Sequence, residues 1–437
     1  MAKRRRKPLL NPASLPGPDD IHRRELPNGI VVLARENRSS PSVVVMGSLR
    51  ANGLAEDRAR AGLAGLTASG LMRGTGRRSF QEIYESIEAI GASLGVSAGK
   101  VGTALHGKSL AEDLRLLLEL LDEVLRHPTF PEDSIAQLRH EKLTGLAIRD
   151  DDTGARADLV FDEIAYPNHP FAIPGEGFRD SVSHLGPQDL VAFHRSQYGP
   201  RGMILCIVGA IDPDGAIDLV REILGSWEGR NPDPDPVIPA ASAPSGLRRR
   251  AVAISGKVQA DLVVGSPGPS RFDEHYLAAA LGNHILGRFG LMGRIGEAVR
   301  EKAGLAYYAY SALEGGAGPG AWKAVAGVHP DHLEKALDLI RREIGRIGER
   351  GVTARELEDN HAHFIGRLPL QLETNEGVAG SLLHLERYRL GLDYYFGYPE
   401  RVKAIRREHI VEAIRKHLHP ERLAIGIGGP PGVEDAG

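Results

Sequence analysis

Between Gly229 and Gly246 the chain reads GRNPDPDPVIPAASAPSG, with prolines at 232, 234, 236, 239 and 244. Each proline lacks an amide donor and holds φ at about −65°, so the stretch is neither helix nor central strand and favours extended polyproline geometry. It divides a 437-residue chain into two parts, each long enough to bury a core of its own. The two parts also resemble one another. Tyr198-Gly199-Pro200 and the run MILCIVGA match Leu418-His419-Pro420 and the run RLAIGIGG at an offset of 220 residues, and DLVAF (189–193) matches HIVEA (409–413) at the same offset. PEDSIAQL (131–138) matches TARELEDN (353–360) at 222, a drift that one small insertion in a loop explains. A duplicated domain is expected. Its copies span residues 22–228 and 247–432, joined by the linker 229–246 and preceded by a basic, disordered tail, 1–21.

The order of local signals is similar in the two copies. IVVLA (30–34) and SVVVMGSL (42–49) are β-branched and read as a hairpin across ENRSSP. A helix is expected from Ala61 to Met72, stopped at Gly74. LAEDLRLLLELLDEVLRH (110–127) places leucines at helical spacing with charge opposite, and HLEKALDLIRREIGRIGER (332–350) plays that part in the second copy. Strands clustered with long helices, without strict βαβ alternation, point to an α+β class in which each copy is a mostly antiparallel sheet packed against helices.

Charge and cysteine content exclude several functions. Fifty-four Lys and Arg against 57 Asp and Glu leave a net charge of −3, so no bulk field draws the chain to nucleic acid or an anionic membrane. The basic run Lys3 to Lys7 lacks a following apolar stretch and is not a secretory signal; it reads as a solvated tail, with a nucleic-acid contact as the lesser alternative. No segment is apolar for long enough to span a bilayer, and a cytoplasmic location is expected. Cys206 is the single cysteine; it excludes an internal disulfide and, within MILCIVGA, reads as a buried small hydrophobe.

Metal and phosphate motifs are weak. His361/His363 and His417/His419 have i,i+2 spacing, which on a helix points the side chains about 200° apart and keeps either pair off a shared ion. Asp150-Asp151-Asp152 begins like a calcium loop, but Phe161 stands at the twelfth position, so a solvated turn is expected. Glycines 287, 290, 293 and 296 match neither nucleotide-loop pattern and read as a flexible loop entering a helix.

Four stretches carry a family resemblance: LPNGIVVLARENRSSPSVVV (26–45), KVQADLVVGSPGPSR (257–271), the glycine segment running into IGEAVREKAGLAYYAYS (295–311), and LPLQLETNEGVAGSLL (368–383). Together, in this order, they resemble the pitrilysin/insulinase metallopeptidases, which include mitochondrial processing peptidase and the core proteins of respiratory complex III. The resemblance covers about residues 22–432 and implies the metallohydrolase fold of the processing-peptidase type. Active members carry H-x-x-E-H on the first helix and a further Glu about 76 residues on, the two His holding zinc and the intervening Glu taking a proton from the metal's water. The matching positions here are Gly65, Ala68 and Ser69, with the distal ligand falling near Gly145. None of the four supplies an adequate ligand or base.

The second copy retains more. Catalytic assemblies of the family use an Arg and a Tyr seven residues apart to bind substrate and stabilise the oxyanion, and Arg300 and Tyr307 match that motif in R-E-K-A-G-L-A-Y. Locally, a helix through Val299 and Lys302 ends at Gly304, and Leu305 to Ala312 runs on as a strand. Composition alone reads the pair as a surface cation and a half-buried strand tyrosine; the resemblance makes them a substrate clamp acting in trans. Tyr308 and Tyr310 are expected on the opposite strand face, which suits Tyr308 as an inert control. The resemblance therefore implies a noncatalytic subunit of a heterodimeric zinc peptidase acting on peptides or unfolded segments. It would hold no cofactor itself, zinc belonging to a partner with H-x-x-E-H. The alternative is a structural or binding homologue like the core proteins, and a homodimer stays open.

Overall fold

The computed structural model describes residues 15–229 and 237–433; most of the basic tail and the linker prolines 232, 234 and 236 lie outside them. Two mixed sheets form, one on each side of the linker. The first contains β1 (His22–Glu25), β2 (Val31–Glu36), β3 (Ser42–Leu49), β4 (Ser93–Ala98), β5 (Thr103–Leu110) and β6 (Ile204–Gly209). Their spatial order is β1-β2-β6-β3-β5-β4. The second contains β7 (Arg248–Ala253), β8 (Ala260–Pro267), β9 (Ala306–Leu313), β10 (Ala321–Val328) and β11 (Ala424–Gly429), in the order β7-β11-β8-β10-β9.

With β1 set aside, the two orders are the same. β2 pairs parallel with β6 as β7 does with β11, and every other neighbouring pair is antiparallel in both sheets. β6 begins at Ile204 and β11 at Ala424, which reproduces the offset of 220. The helices repeat too: Leu114–Arg126 matches Leu333–Arg350, and Pro187–Gln197 matches Arg407–His417. The hairpin expected between residues 30–34 and 42–49 does not form. β6, distant in sequence, inserts between β2 and β3 and pairs with both. Both strands are rich in β-branched residues, but that property selects extended backbone and not a partner.

The chain divides into two compact units that are not the sequential halves. One comprises the chain through Leu143 with Gly175–Val237 and Ile365–Pro399; the other comprises Thr144–Pro174, Ile238–Phe364 and Glu400 onward. Each half therefore contributes a helix to the other half's sheet. In the first unit, alternate strand residues (Val32, Val43, Val45, Leu205, Ile207) face one core, and Val31, Leu33, Val44, Cys206 and Val208 face another. The second of these cores is completed by Val378, Leu382 and Leu385 of the helix Asn375–Arg387. In the second unit the helix Thr153–Ala165 covers the matching face, with Ala157 and Phe161 packed on Val263, Val325 and Ala424. Cys206 is fully buried, and burial pushes its thiol pKa up, as suits a packing residue.

The glycine-rich segment is not a loop. The helix Tyr276–Gly287 runs almost directly into Phe289–Ile295, within which Gly290 (φ 62°) and Gly293 (φ 66°) take the left-handed backbone that glycine tolerates. Gly287 is required for a different reason: a Cβ there would lie 2.0 Å from the amide nitrogen of Ser311 on β9.

Candidate functional site

In the first unit, the helix matched to the zinc motif spans Leu63–Gly70. Its N-terminus is held by Glu56, whose carboxylate accepts from the amides of Gly62 (3.1 Å) and Ala64 (2.5 Å). Gly62, at φ 95°, lets the chain enter the helix. Ala68 is fully buried in the packing, and a Cβ at Gly65 would stand 3.2 Å from the carbonyl of Gly175. Ser69 Oγ donates to the carbonyl of Gly65 at 3.0 Å, a bond within the helix. This helix face offers no imidazole and no carboxylate, so it does not fit a zinc ion. Gly145, in the other unit, lies on the helix Glu132–Asp151 with open space at its Cα. H-x-x-E-H occurs nowhere in the chain.

In the second unit, Gly296–Lys302 forms a π-helical turn. Gly304, at φ 63°, ends it: its amide donates to Arg300 O at 3.1 Å, and that of Leu305 reaches Val299 O at 3.0 Å. The second bond spans one residue more than in an α-helical Schellman ending, because the turn before it is π. The joint places Arg300 on the last helical turn and Tyr307 second in β9. Arg300 is about one-third exposed and lies 3.5 Å from Glu301. Tyr307 is 85% exposed, not half-buried, and its hydroxyl has no hydrogen bond among the described residues. An aromatic side chain held out from an edge strand in this way is available to a ligand.

Tyr308 and Tyr310 share the face opposite to Tyr307, their rings 6.1 Å apart. Tyr308 is not inert, however. Its hydroxyl donates to Asp261, a carboxylate only 2% exposed that also receives Thr153 Oγ1 and, at 3.1 and 3.2 Å, the Gln259 amide. Burial raises the Tyr308 pKa, and the neighbouring Asp261 carboxylate adds to the rise, so the phenol stays a donor. The network ties β9 and β8 to the start of the helix Thr153–Ala165. Only the fold shows it, since Thr153, Asp261 and Tyr308 are far apart in sequence.

The other motifs resolve into structure. Asp150 lies 3.0 Å from Arg149 and 3.7 Å from Arg156, Asp151 pairs with Lys257 at 2.7 Å, and Asp152 caps the next helix through Ala155 N. His361 reaches the carbonyl of Ile405, while His363 stacks on His284 at 4.3 Å. His417 does not meet His419 at an ion but gathers with Asp273 and His275. The sequence reading missed that group, because His417 lies more than 140 residues from Asp273 and His275.

Two copies of one mixed-sheet domain, with an Arg and a Tyr at a helix-to-strand joint and a first helix stripped of ligands, define the scaffold of a metallohydrolase without its metal centre. Comparison with known proteins agrees. The insulinase (peptidase family M16) profile matches residues 31–152, and the peptidase M16 inactive-domain profile matches 184–361. An uncharacterized zinc protease of Mycobacterium tuberculosis is 28% identical over 83% of this chain and 82% of its own. A Helicobacter pylori protein described as a non-peptidase homolog is 20% identical over 91% of each. Among solved structures, a peptidase M16 inactive domain from Pseudomonas fluorescens superposes with a TM-score of 0.86 and 26% identity, covering 94% of this chain and 98% of that one. A Helicobacter pylori protease shares the fold at a TM-score of 0.87 and 18% identity, over 95% and 100% of the two chains. The chain belongs to peptidase family M16. No described helix is long and apolar enough to cross a membrane.

Proposed function

We propose that this chain is the noncatalytic, substrate-binding subunit of a heterodimeric zinc peptidase, and that it works in the cytoplasm on peptides or unfolded segments. The observation that carries this reading is the contrast between a first-unit helix whose Gly65, Ala68 and Ser69 present no ligand and a second-unit joint that holds Tyr307 out to solvent with a free hydroxyl. In this reading the partner supplies H-x-x-E-H and the zinc. Arg300 and Tyr307 bind the peptide carbonyl: the guanidinium and the phenol each donate a hydrogen bond to its oxygen as negative charge builds there. Fixed donors aimed at a developing charge stabilise it more than water does, because they need no reorganisation.

Co-expression with a homologue bearing H-x-x-E-H tests the proposal. A stable heterodimer whose peptidase activity needs both chains is expected. A catalytic chain equally active alone would leave the second reading, a homologue with a structural or binding role only, which the name of the Helicobacter pylori relative favours.

A further inference from the structure

Asp273 closes the turn before the helix Tyr276–Gly287. Its Oδ1 accepts from the His275 amide at 2.8 Å and lies 2.9 Å from His275 Nδ1. His417 is the last residue of the helix Arg407–His417, which packs on Tyr276–Gly287 and brings His417 Nε2 to 3.7 Å from Asp273 Oδ2. One ligand atom from each of the three residues lies within 4.8 Å of the others. Two ligands about 2.1 Å from one tetrahedral ion stand about 3.4 Å apart, and His275 Nδ1, 2.9 Å from Oδ1, and His417 Nε2, 3.7 Å from Oδ2, flank the two oxygens of the Asp273 carboxylate at close to that spacing.

Burial and charge favour the same use. The side chains of His275 and His417 are only 12% and 13% exposed. His417 Nε2 is sealed from solvent with no hydrogen-bond partner among the described residues, an arrangement that costs free energy unless something fills it. Glu412 lies 3.5 Å from His275 Nε2 and Glu274 4.0 Å from Nδ1, adding negative charge. One cation already sits among these groups. Lys416 Nζ is 3.3 Å from His275 Nδ1 and 3.7 Å from Asp273 Oδ2, on a side chain half exposed and able to swing away.

We propose that Asp273, His275 and His417 form a site for one divalent ion of the zinc class, with Lys416 as the tethered cation that stands in when no metal is bound. Two imidazoles and one carboxylate suit Zn²⁺, Co²⁺ or Ni²⁺ rather than Ca²⁺ or Mg²⁺. None of these residues aligns with the family's zinc motif.

The test is calorimetric titration of the chelator-treated full chain with Zn²⁺, repeated with Co²⁺ followed by its visible absorption. One ion per chain is expected. His417→Gln and Asp273→Asn should each weaken binding at least about 10-fold, and Lys416→Met, which removes the competing cation, should tighten it. Thermal unfolding controls for folding: Zn²⁺ should raise the Tm of the wild type and not that of His417→Gln, while the two metal-free proteins unfold at similar temperatures. A wild type that takes up no stoichiometric ion, or a His417→Gln chain that binds as well as the wild type, would overturn the site and leave an ion-pair cluster.

Discussion

β6 and β11 are the same strand of two copies, 220 residues apart, yet they meet their covering helices differently. β6 reads ILCIVG and presents Cys206 and Val208 to the helix Asn375–Arg387. β11 reads AIGIGG; at the matching positions stand Gly426 and Gly428, where an added Cβ would lie 2.2 Å from the carbonyls of Ala157 and Thr153. One copy fills the space between sheet and helix with side chains. The other removes them so that the helix rests against strand backbone. The two copies also differ in what they expose: the first copy's leading helix is packed through Leu63, Leu66 and Ala68, while the second copy holds Tyr307 out from β9 on the face opposite a buried polar network. Duplication preserved strand order, and side-chain volume and polarity then diverged.

The contrast is most exposed at Tyr307. In a reconstituted heterodimer, Tyr307→Phe should lower turnover about 100- to 1000-fold, about 2.7–4 kcal/mol if the hydroxyl is an oxyanion donor. Partner binding and unfolding should hardly change. Tyr310→Phe is the proper control, since that side chain is partly exposed and shares a face with Tyr308 rather than with Tyr307. Equal rates for the two variants would reduce Tyr307 to a surface aromatic.

Tyr308→Phe is expected to act on stability instead. It leaves the Asp261 carboxylate one donor short, a loss of about 1.5–3 kcal/mol in denaturant unfolding. A change within about 0.5 kcal/mol, the range of ordinary surface substitutions, would mean that the network does not hold β9.

Gly426→Ala probes the helix-to-backbone contact and should cost about 1–3 kcal/mol, because the carbonyl of Ala157 has to give way. A stable Gly426→Ala chain would show that β11 tolerates the packing style of β6.

In pH dependence, one carboxylate in each unit responds with opposite sign. Glu356 accepts from Arg294 Nε and Nη2, each at 2.7 Å, and from Thr353 N. Burial opposes its ionisation, but these donors outweigh burial and hold its pKa down to about 2. Its contribution to stability is therefore present above the ordinary value of 4.5 and is lost as pH falls towards 2. Glu56 is shifted upward by burial, against the pull of the Gly62 and Ala64 amides, so it favours the fold when protonated and loses that benefit as pH rises through its folded pKa. Unfolding midpoints should show Glu356→Gln flattening the acid limb and Glu56→Gln changing the slope above it. Parallel profiles for both variants would remove the contrast.

Much of the fold was legible from residues alone. The helix Leu114–Arg126 follows from leucine spacing, the ending at Gly304 from a glycine between a helical segment and an aromatic-rich run, and the repeat from matching strings at 220. Each of these signals is local or a comparison of local signals, and periodicity and backbone preference act within a few residues. Gly65 and Ala68 were likewise readable, since a side chain without a donor atom cannot become a ligand in any fold, and Ser69 offers a hydroxyl but neither imidazole nor carboxylate.

Tertiary structure decided what depends on partners distant in the chain. Nothing near residues 30–49 could show that β6 would separate β2 from β3, because β-branched strands pair wherever a complementary edge is offered. Nor could local pattern assign Thr153–Ala165 to the second sheet and Asn375–Arg387 to the first, since an amphipathic face specifies burial and not what it is buried against. For the same reason Tyr308 looked free until Asp261 came under it, and Asp273, His275 and His417 looked unrelated until two helices packed.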